Sequence, residues 1–429
     1  METLSVRSRA LPRRHPSGIL VRQTLLLLLI GSACTFAHAA EAPPYVALLR
    51  QAQANAPRLL AQAASVRAAA ADARQSSAWL NPTLSVTAEN LGAPQAGGLS
   101  QRQDTYSVTQ VFEIGGKRSA RVEAELRKSS AAAARAHETT LTFAVELAVA
   151  YATAEAMQQR SQVAGDEVAR AEDDMRAAQA LVKAGREAEL RVAQARASVA
   201  ASRAGAQSVA ADTTEALERL SALAGAAEPL TRIGFPLLAK VAPPPVQASW
   251  SLTDAPAVAS ASAERDALSA QVKVEQTRSI PDIGVTVGMR KFGWSSEKAA
   301  TVGLSLSIPL FDQNKAGIDA ARERANSAAL HLESIKMDLV AQHRSALAQV
   351  RASQLRLLAA EEGESAASEA YRLGRMGYEA GKTSLLELLA IRRALSEAQA
   401  LTIVSRLAQV RALATLSLAE GRNLFGEAL

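Results

Sequence analysis

The 429-residue sequence predicts a mostly α fold with a small β part, built as a duplicated helix-hairpin-helix unit. Three observations carry that reading: long proline-free stretches rich in helix formers, four short segments of alternating side chains, and landmarks that recur in the two halves.

Proline placement sets the frame. None occurs between Pro94 and Pro229 or after Pro309, whereas Pro229, Pro236, Pro243, Pro244, Pro245 and Pro256 crowd one stretch. Proline removes a helical N–H and clashes with the preceding turn, so its absence permits long helices and its clustering marks a linker at 227–256. From Ser119 to Val182 the chain is Ala-, Glu-, Arg- and Gln-rich, with only Gly165 weakening the pattern. Such a helix would run about 95 Å, more than a globular domain needs, which points to a coiled coil or helical assembly.

The strand signals interrupt these helices. Thr83 to Glu89 and Thr105 to Phe112 alternate with period two around a Gly-, Pro- and Gln-rich loop, and read as a hairpin. A second pair, Asp282 to Met289 and Thr301 to Ile308, carries Ile, Val, Leu and Met on one face and Gly, Ser, Thr and Asp on the other. A face of the first kind suits lipid and one of the second kind a watery lumen. A half-buried sheet in a soluble domain has the same alternation.

The halves match. Asn81-Pro82 corresponds to Ile280-Pro281 and Phe112 to Phe311, both 199 residues apart; Ala184-Gly185, Leu190 and Arg196 correspond to Ala380-Gly381, Leu386 and Arg392, 196 apart. A duplication explains these together. Residues 41–226 form the expected first repeat, with a hairpin near 82–113 and long helices over 119–226; residues 257–424 form the second, with a hairpin near 282–310 and helices over 318–420, leaving 425–429 as a tail. Four strands cannot close a barrel, which takes about eight, so copies must combine, and three would supply twelve strands.

The N-terminus explains how such strands could reach a membrane. Arg7, Arg9, Arg13, Arg14 and Arg22 precede an apolar run from Thr24 to Phe36 and the small-residue segment Ala37-His38-Ala39-Ala40, the order of a secretory signal peptide over residues 1–40. Its removal takes away five Arg and one Glu, so the net charge falls from +6 to +2 and a nucleic-acid partner loses its support. Cys34, the single cysteine, lies in this leader; lipid attachment there is the alternative, although Gly31-Ser32-Ala33 lacks the usual upstream Leu. No uninterrupted apolar run of about 20 residues follows, so a closed barrel is the expected route into lipid.

The sequence carries no catalytic or metal-binding pattern. His331, Met337 and His343 are spaced six apart and point to different sides of a helix. Acidic groups such as Glu172-Asp173-Asp174, followed by Arg176, read as solvated helix faces. No hydrolase serine, phosphate loop or distinctive carboxylate pair occurs, so neither an enzyme nor a cofactor is expected.

With a duplicated unit of this form, the chain resembles the TolC-type outer-membrane factor family over about residues 45–420. Phe112-Glu113-Ile114-Gly115-Gly116-Lys117-Arg118 and Ile308-Pro309-Leu310-Phe311-Asp312-Gln313-Asn314-Lys315-Ala316-Gly317 resemble its cobalt-zinc-cadmium resistance branch. Both must turn a strand into a helix: Gly115, Gly116 and Gly317 allow backbone angles that other residues resist, and Pro309 can end a strand without sacrificing a ladder bond.

The resemblance implies a homotrimer, with a twelve-stranded outer-membrane β-barrel continued by a long periplasmic α-helical barrel. It also implies outer-membrane lipid, a periplasmic adaptor protein and an inner-membrane RND pump as partners, with heavy-metal cations as exported substrates. Val182-Lys183-Ala184-Gly185-Arg186 and the segment Tyr378 to Leu389 resemble the family's periplasmic-tip motifs, which makes Gly185, Arg186, Gly381 and Lys382 turn residues for partner docking. Glu387 falls on one of two acidic constriction positions and Ala390 on the other, which favours a single acidic ring at the entrance over a doubled one; an ordinary solvated glutamate on the outer surface is the alternative. On a helical wheel Leu385, Leu388, Leu389 and Arg392 cluster together and Glu387 faces away from them. Drug efflux or type I secretion is the alternative within the family; a periplasmic coiled-coil adaptor or structural protein is the alternative outside it.

Overall fold

A computed structural model describes residues 40–95, 97–239, 250–422 and 424. The leader assigned to residues 1–40, except Ala40, the linker segment 240–249 and the tail 425–429 lie outside the described residues. The order is β1 (Ala40–Ala42), α1 (Tyr45–Asn55), α2 (Pro57–Ser76), β2 (Thr83–Glu89), β3 (Gln103–Phe112), α3 (Lys117–Lys183), α4 (Glu189–Ala224) and β4 (Leu230–Ile233). It continues through α5 (Pro256–Arg278), β5 (Ile283–Phe292), β6 (Lys298–Leu306), α6 (Lys315–Glu379) and α7 (Leu385–Glu420). Pro57 and Pro256 each sit at a helix start, where the missing N–H removes no intrahelical bond. At 67 residues, α3 is about 100 Å long.

The strands form one antiparallel sheet in the order β2-β3-β5-β6. The hairpins of the two halves join through β3 and β5, where Val108 pairs with Val287 and Thr109 with Thr286. The register separates the faces cleanly. Leu84, Val108, Val287 and Val302 share a rung, and Val86, Tyr106, Met289 and Ala300 lie on the same face two residues along. The opposite face carries Ser85, Ser107, Gly288 and Thr301, then Thr83, Thr109, Thr286 and Gly303. Hydroxyl pairs knit that polar face, Ser85 to Ser107 at 2.7 Å and Thr109 to Thr286 at 2.8 Å. Among the described residues nothing covers the apolar face: Leu84, Val302 and Leu304 are 72%, 80% and 76% exposed.

Several strand boundaries differ from the sequence reading: β3 begins at Gln103 rather than Thr105, β5 at Ile283 rather than Asp282, and β6 ends at Leu306 rather than Ile308. β5 continues to Phe292, past Met289, and β6 begins at Lys298 rather than Thr301. Arg290 and Lys291 broke the apolar alternation, but the ladder continues as Lys291 pairs with Lys298. The stretch 227–256 is likewise not irregular throughout. β4 lies within it, and the buried Glu155 carboxylate accepts the N–H groups of Leu237 and Leu238 at 2.6 and 3.0 Å. Burial pushes that carboxyl above its ordinary range, while the two backbone donors pull it back.

Alanine sets the helix packing. Ala144, Ala148, Ala152, Ala154 and Ala156 of α3 are buried, and such small side chains let neighbouring axes approach closely. Tyr45 donates its hydroxyl to the Ala144 carbonyl at 2.8 Å and meets Tyr151 edge-on. α7 is long and apolar enough to suit a membrane span, with a mean hydropathy of 1.2, but half of that window is buried in the bundle. It packs along α6 and α3 as a core helix.

At the first strand-to-helix junction Gly115 and Gly116 have φ of 67° and 78°. A Cβ on Gly115 would run into the Ile280 side chain, whereas one on Gly116 would meet only Ser119 Oγ at 3.3 Å. The second junction differs from expectation. Gly317 is not in the left-handed region; Asn314 is, with φ of 54°, and Gly317 lies in the first turn of α6, where a Cβ would strike the Asn314 side chain. Asn314 Nδ2 donates to the Glu275 carbonyl and carboxylate, both at 2.9 Å, which stabilises that conformation and holds the Glu275 carboxyl below its usual range. Pro309 follows the end of β6, outside the ladder. Gly115→Ala should lower thermal stability by about 1 to 3 kcal/mol, and Gly116→Ala by less because it displaces no apolar side chain. Thermal unfolding in detergent checks the order.

Candidate functional site

The tip-turn residues and the strand-junction residues lie at opposite ends of the long helices. Gly185 and Gly381, with φ of 70° and 73°, end α3 and α6 in the same way. Arg186 N donates to Leu181 O at 2.9 Å and Gly185 N to Val182 O at 3.0 Å; Lys382 N donates to Gly377 O at 2.8 Å and Gly381 N to Tyr378 O at 2.9 Å. These paired bonds are Schellman motifs, which satisfy the last helical carbonyls through a left-handed residue. The two turns adjoin: a Cβ on Gly381 would lie 3.0 Å from Arg186 Nη2. The structure thus brings Gly185, Arg186, Gly381 and Lys382 to one end.

Glu387 lies in the first turn of α7, where Ser384 caps the helix by accepting the Glu387 N–H at 3.2 Å. Its side chain is exposed, as is Ala390, while Leu385, Leu388 and Arg392 are buried. Leu385 and Leu388 pack with Tyr371, Tyr378, Ala178 and Ala195 in a core immediately behind the turns.

Beside that core is a charged network that the sequence reading missed. Arg392 is 3% exposed and donates to Asp174 Oδ2 at 2.7 Å, Glu167 Oε1 at 3.0 Å and Ser198 Oγ at 2.6 Å. Ser396 closes the set on the other Glu167 oxygen. One guanidinium therefore ties α7, from the second half, to α3 and α4, from the first. Burial pushes the Asp174 carboxyl above its ordinary range, and the Arg392 guanidinium pulls it back. Burial likewise raises the hydroxyls of Tyr371 and Tyr378.

The solvated-face reading of Glu172-Asp173-Asp174 fails at Asp174, which is buried, and holds at its neighbours: Asp173 pairs with Arg176, and Glu172 with Arg203 at 2.6 Å. A signal was present, since Arg392 falls in the apolar stripe of its own helix. Among the described residues no three metal-ligating side chains gather. His343 instead stacks on Trp250, with ring centres 4.0 Å apart, and meets Glu420 at 3.2 Å.

Residues 48–226 and 249–422 match the outer membrane efflux protein family. The chain belongs to that family. It is an outer-membrane efflux component of a Gram-negative cell envelope. The chain is 52% identical over 420 residues to the nickel-cobalt-cadmium resistance protein NccC of Alcaligenes xylosoxydans xylosoxydans, covering 98% of this chain and 95% of that one. It is 53% identical over 403 residues to the nickel and cobalt resistance protein CnrC of Cupriavidus metallidurans, covering 93% and 96%. Among solved structures, CusC superposes with a TM-score of 0.77 at 18% identity, covering 88% of this efflux protein and 92% of CusC. That likeness establishes the fold.

Arg392→Ala should lower the unfolding free energy by about 3 to 5 kcal/mol, because it leaves buried Asp174 and partly buried Glu167 without their cation. The pH dependence has a definite sign. A carboxyl whose folded pKa is raised contributes most in acid, and that contribution is lost as pH rises through the folded value. Asp174→Asn should therefore flatten this fall in a pH series of denaturant unfolding, with Arg392 still held by Glu167.

Proposed function

We propose that three copies of this chain form a passive duct for divalent heavy-metal cations of the nickel and cobalt class. A twelve-stranded barrel crosses the outer membrane and an α-helical barrel extends into the periplasm. Residues 41–226 and 257–424 act as its two repeats. The single observation that carries this reading is the sheet: four strands with one bare apolar face, one polar face and two open edges, β2 and β6. Open edges are not tolerated in lipid, and pairing β6 of one copy with β2 of the next removes them. The metal class follows from likeness to NccC and CnrC.

The helix-turn end is the entrance in this reading. Gly185, Arg186, Gly381 and Lys382 receive a periplasmic adaptor, an inner-membrane RND pump supplies the energy, and the chain itself catalyses nothing. Three copies of Glu387 ring the opening and favour cations over anions. Spreading α7 away from α3 and α4 must break the contacts of Arg392, so opening requires work from the partners.

The mature protein should run as a trimer in native mass measurements from outer-membrane extracts; soluble monomer alone would sink the duct. A charge on the lipid face near mid-membrane costs roughly 2 to 4 kcal/mol, so Val285→Arg should impair assembly more than Thr286→Arg, with equal heat-resistant trimer from both arguing against the faces assigned. In planar bilayers Glu387→Gln should reduce cation preference and Glu387→Lys should abolish or reverse it. Unchanged selectivity in both variants, at normal trimer yield, places Glu387 outside the conducting path.

A further inference from the structure

The outward face of the sheet changes character at the end remote from the long helices. From Ile283 to Met289 its β5 positions are Ile283, Val285, Val287 and Met289, a band about 20 Å long at 3.4 Å per residue. The next outward rung holds Asp104, Lys291 and Lys298 side by side. Directly beyond, Trp294 is exposed and meets Phe292 of the polar face at a tilt of 35°, with ring centres 4.6 Å apart; tryptophan is enriched at membrane–water boundaries.

Two lysines directly opposite each other on neighbouring strands repel. On this rung Asp104, opposite Lys291, is the one counter-charge. Asp104 is engaged by Arg102 Nε at 2.9 Å, and on the other face Glu89 is 3.8 Å from Arg290. Glu297, in the adjoining turn, makes no ion pair with either lysine, and neither has any ion pair among the described residues. Both are exposed, as is Arg102 just before β3, so Lys291 and Lys298 add two cations beside the Arg102–Asp104 pair.

We propose that Lys291 and Lys298, assisted by Arg102, bind the phosphate groups of a phosphorylated glycolipid in the outer leaflet, of the bisphosphorylated lipid A type. This rests on the barrel reading above. The helices fix the strand starts at the periplasmic side, so this rung faces the outer leaflet, and its ammonium groups stand where the apolar band ends. A lipid with acyl chains along Val287, Val302 and Met289 and phosphates at the next rung meets both surfaces at once. Free phosphate meets only the second, and a zwitterionic phospholipid brings its own cation to a cationic site. Three copies would carry three such sites around the rim.

The test uses the full mature protein extracted as its outer-membrane trimer, delipidated, and titrated with bisphosphorylated lipid A under native mass spectrometry. The wild type should retain the lipid, and Lys291→Gln with Lys298→Gln should weaken retention about tenfold, the loss of two charge-assisted contacts to phosphate. Lys336→Gln, on α6, should bind like the wild type, and phosphatidylethanolamine should bind weakly to all variants. Equal lipid A retention by the double variant, in an intact trimer, would overturn the site alone. Displacement of lipid A by inorganic phosphate at equal phosphate concentration would overturn the lipid assignment, as would equally strong retention of phosphatidylethanolamine. A wild-type protein that forms no outer-membrane trimer would overturn the barrel reading, and the site with it.

Discussion

Hydrocarbon offers no partner for a free backbone N–H or carbonyl, and this constraint shapes the chain more than any side-chain contact. Four strands satisfy their inner ladders and leave β2 and β6 with open edges. In water such edges invite aggregation, and lipid tolerates them no better, so each calls for a pairing partner. The bare apolar face and hydroxyl-lined opposite face are both intelligible once the sheet is a segment of a wall between lipid and water. The same arrangement would be a liability in a soluble monomer.

The helical part solves a different problem. Helices of 67 and 65 residues have no single globular core to stabilise them along their length. Stability is concentrated where elements gather: the alanine-lined middle of α3, where Glu155 and Tyr151 hold the segment after β4, and the core behind the tip turns. The Arg392 network is of a different kind, because a buried charge group contributes less net stability than specificity of partner and register. Here it fixes which helices adjoin at the turn end, and any separation of those helices would expose unpaired carboxylates.

Much of this architecture is legible in the residue order because it rests on local physics. Proline absence marks the long helices, period-two alternation marks the strands, and Gly185 and Gly381 mark turns that only a left-handed residue completes. The faces of the strands were legible too, since a strand's alternation needs no neighbour to be read. Local signals also misled. Gly317 suggested backbone freedom that Asn314 supplies instead, held by a hydrogen bond to Glu275 across the junction. The charged Arg290-Lys291 pair concealed the last rungs of β5 because the alternation ends before the hydrogen-bond ladder does.

The sequence by itself determined the periodicities: helix length, strand alternation and the two glycine turns, all consequences of preferences acting within a few residues. Tertiary structure alone decided which members of matched pairs are buried. Arg196 and Arg392 occupy corresponding places in the two halves, yet Arg196 is exposed and Arg392 is enclosed by Asp174, Glu167 and Ser198. Burial is set by what neighbouring helices bring, and the partners of Arg392 lie 194 to 225 residues away, beyond the reach of any local pattern.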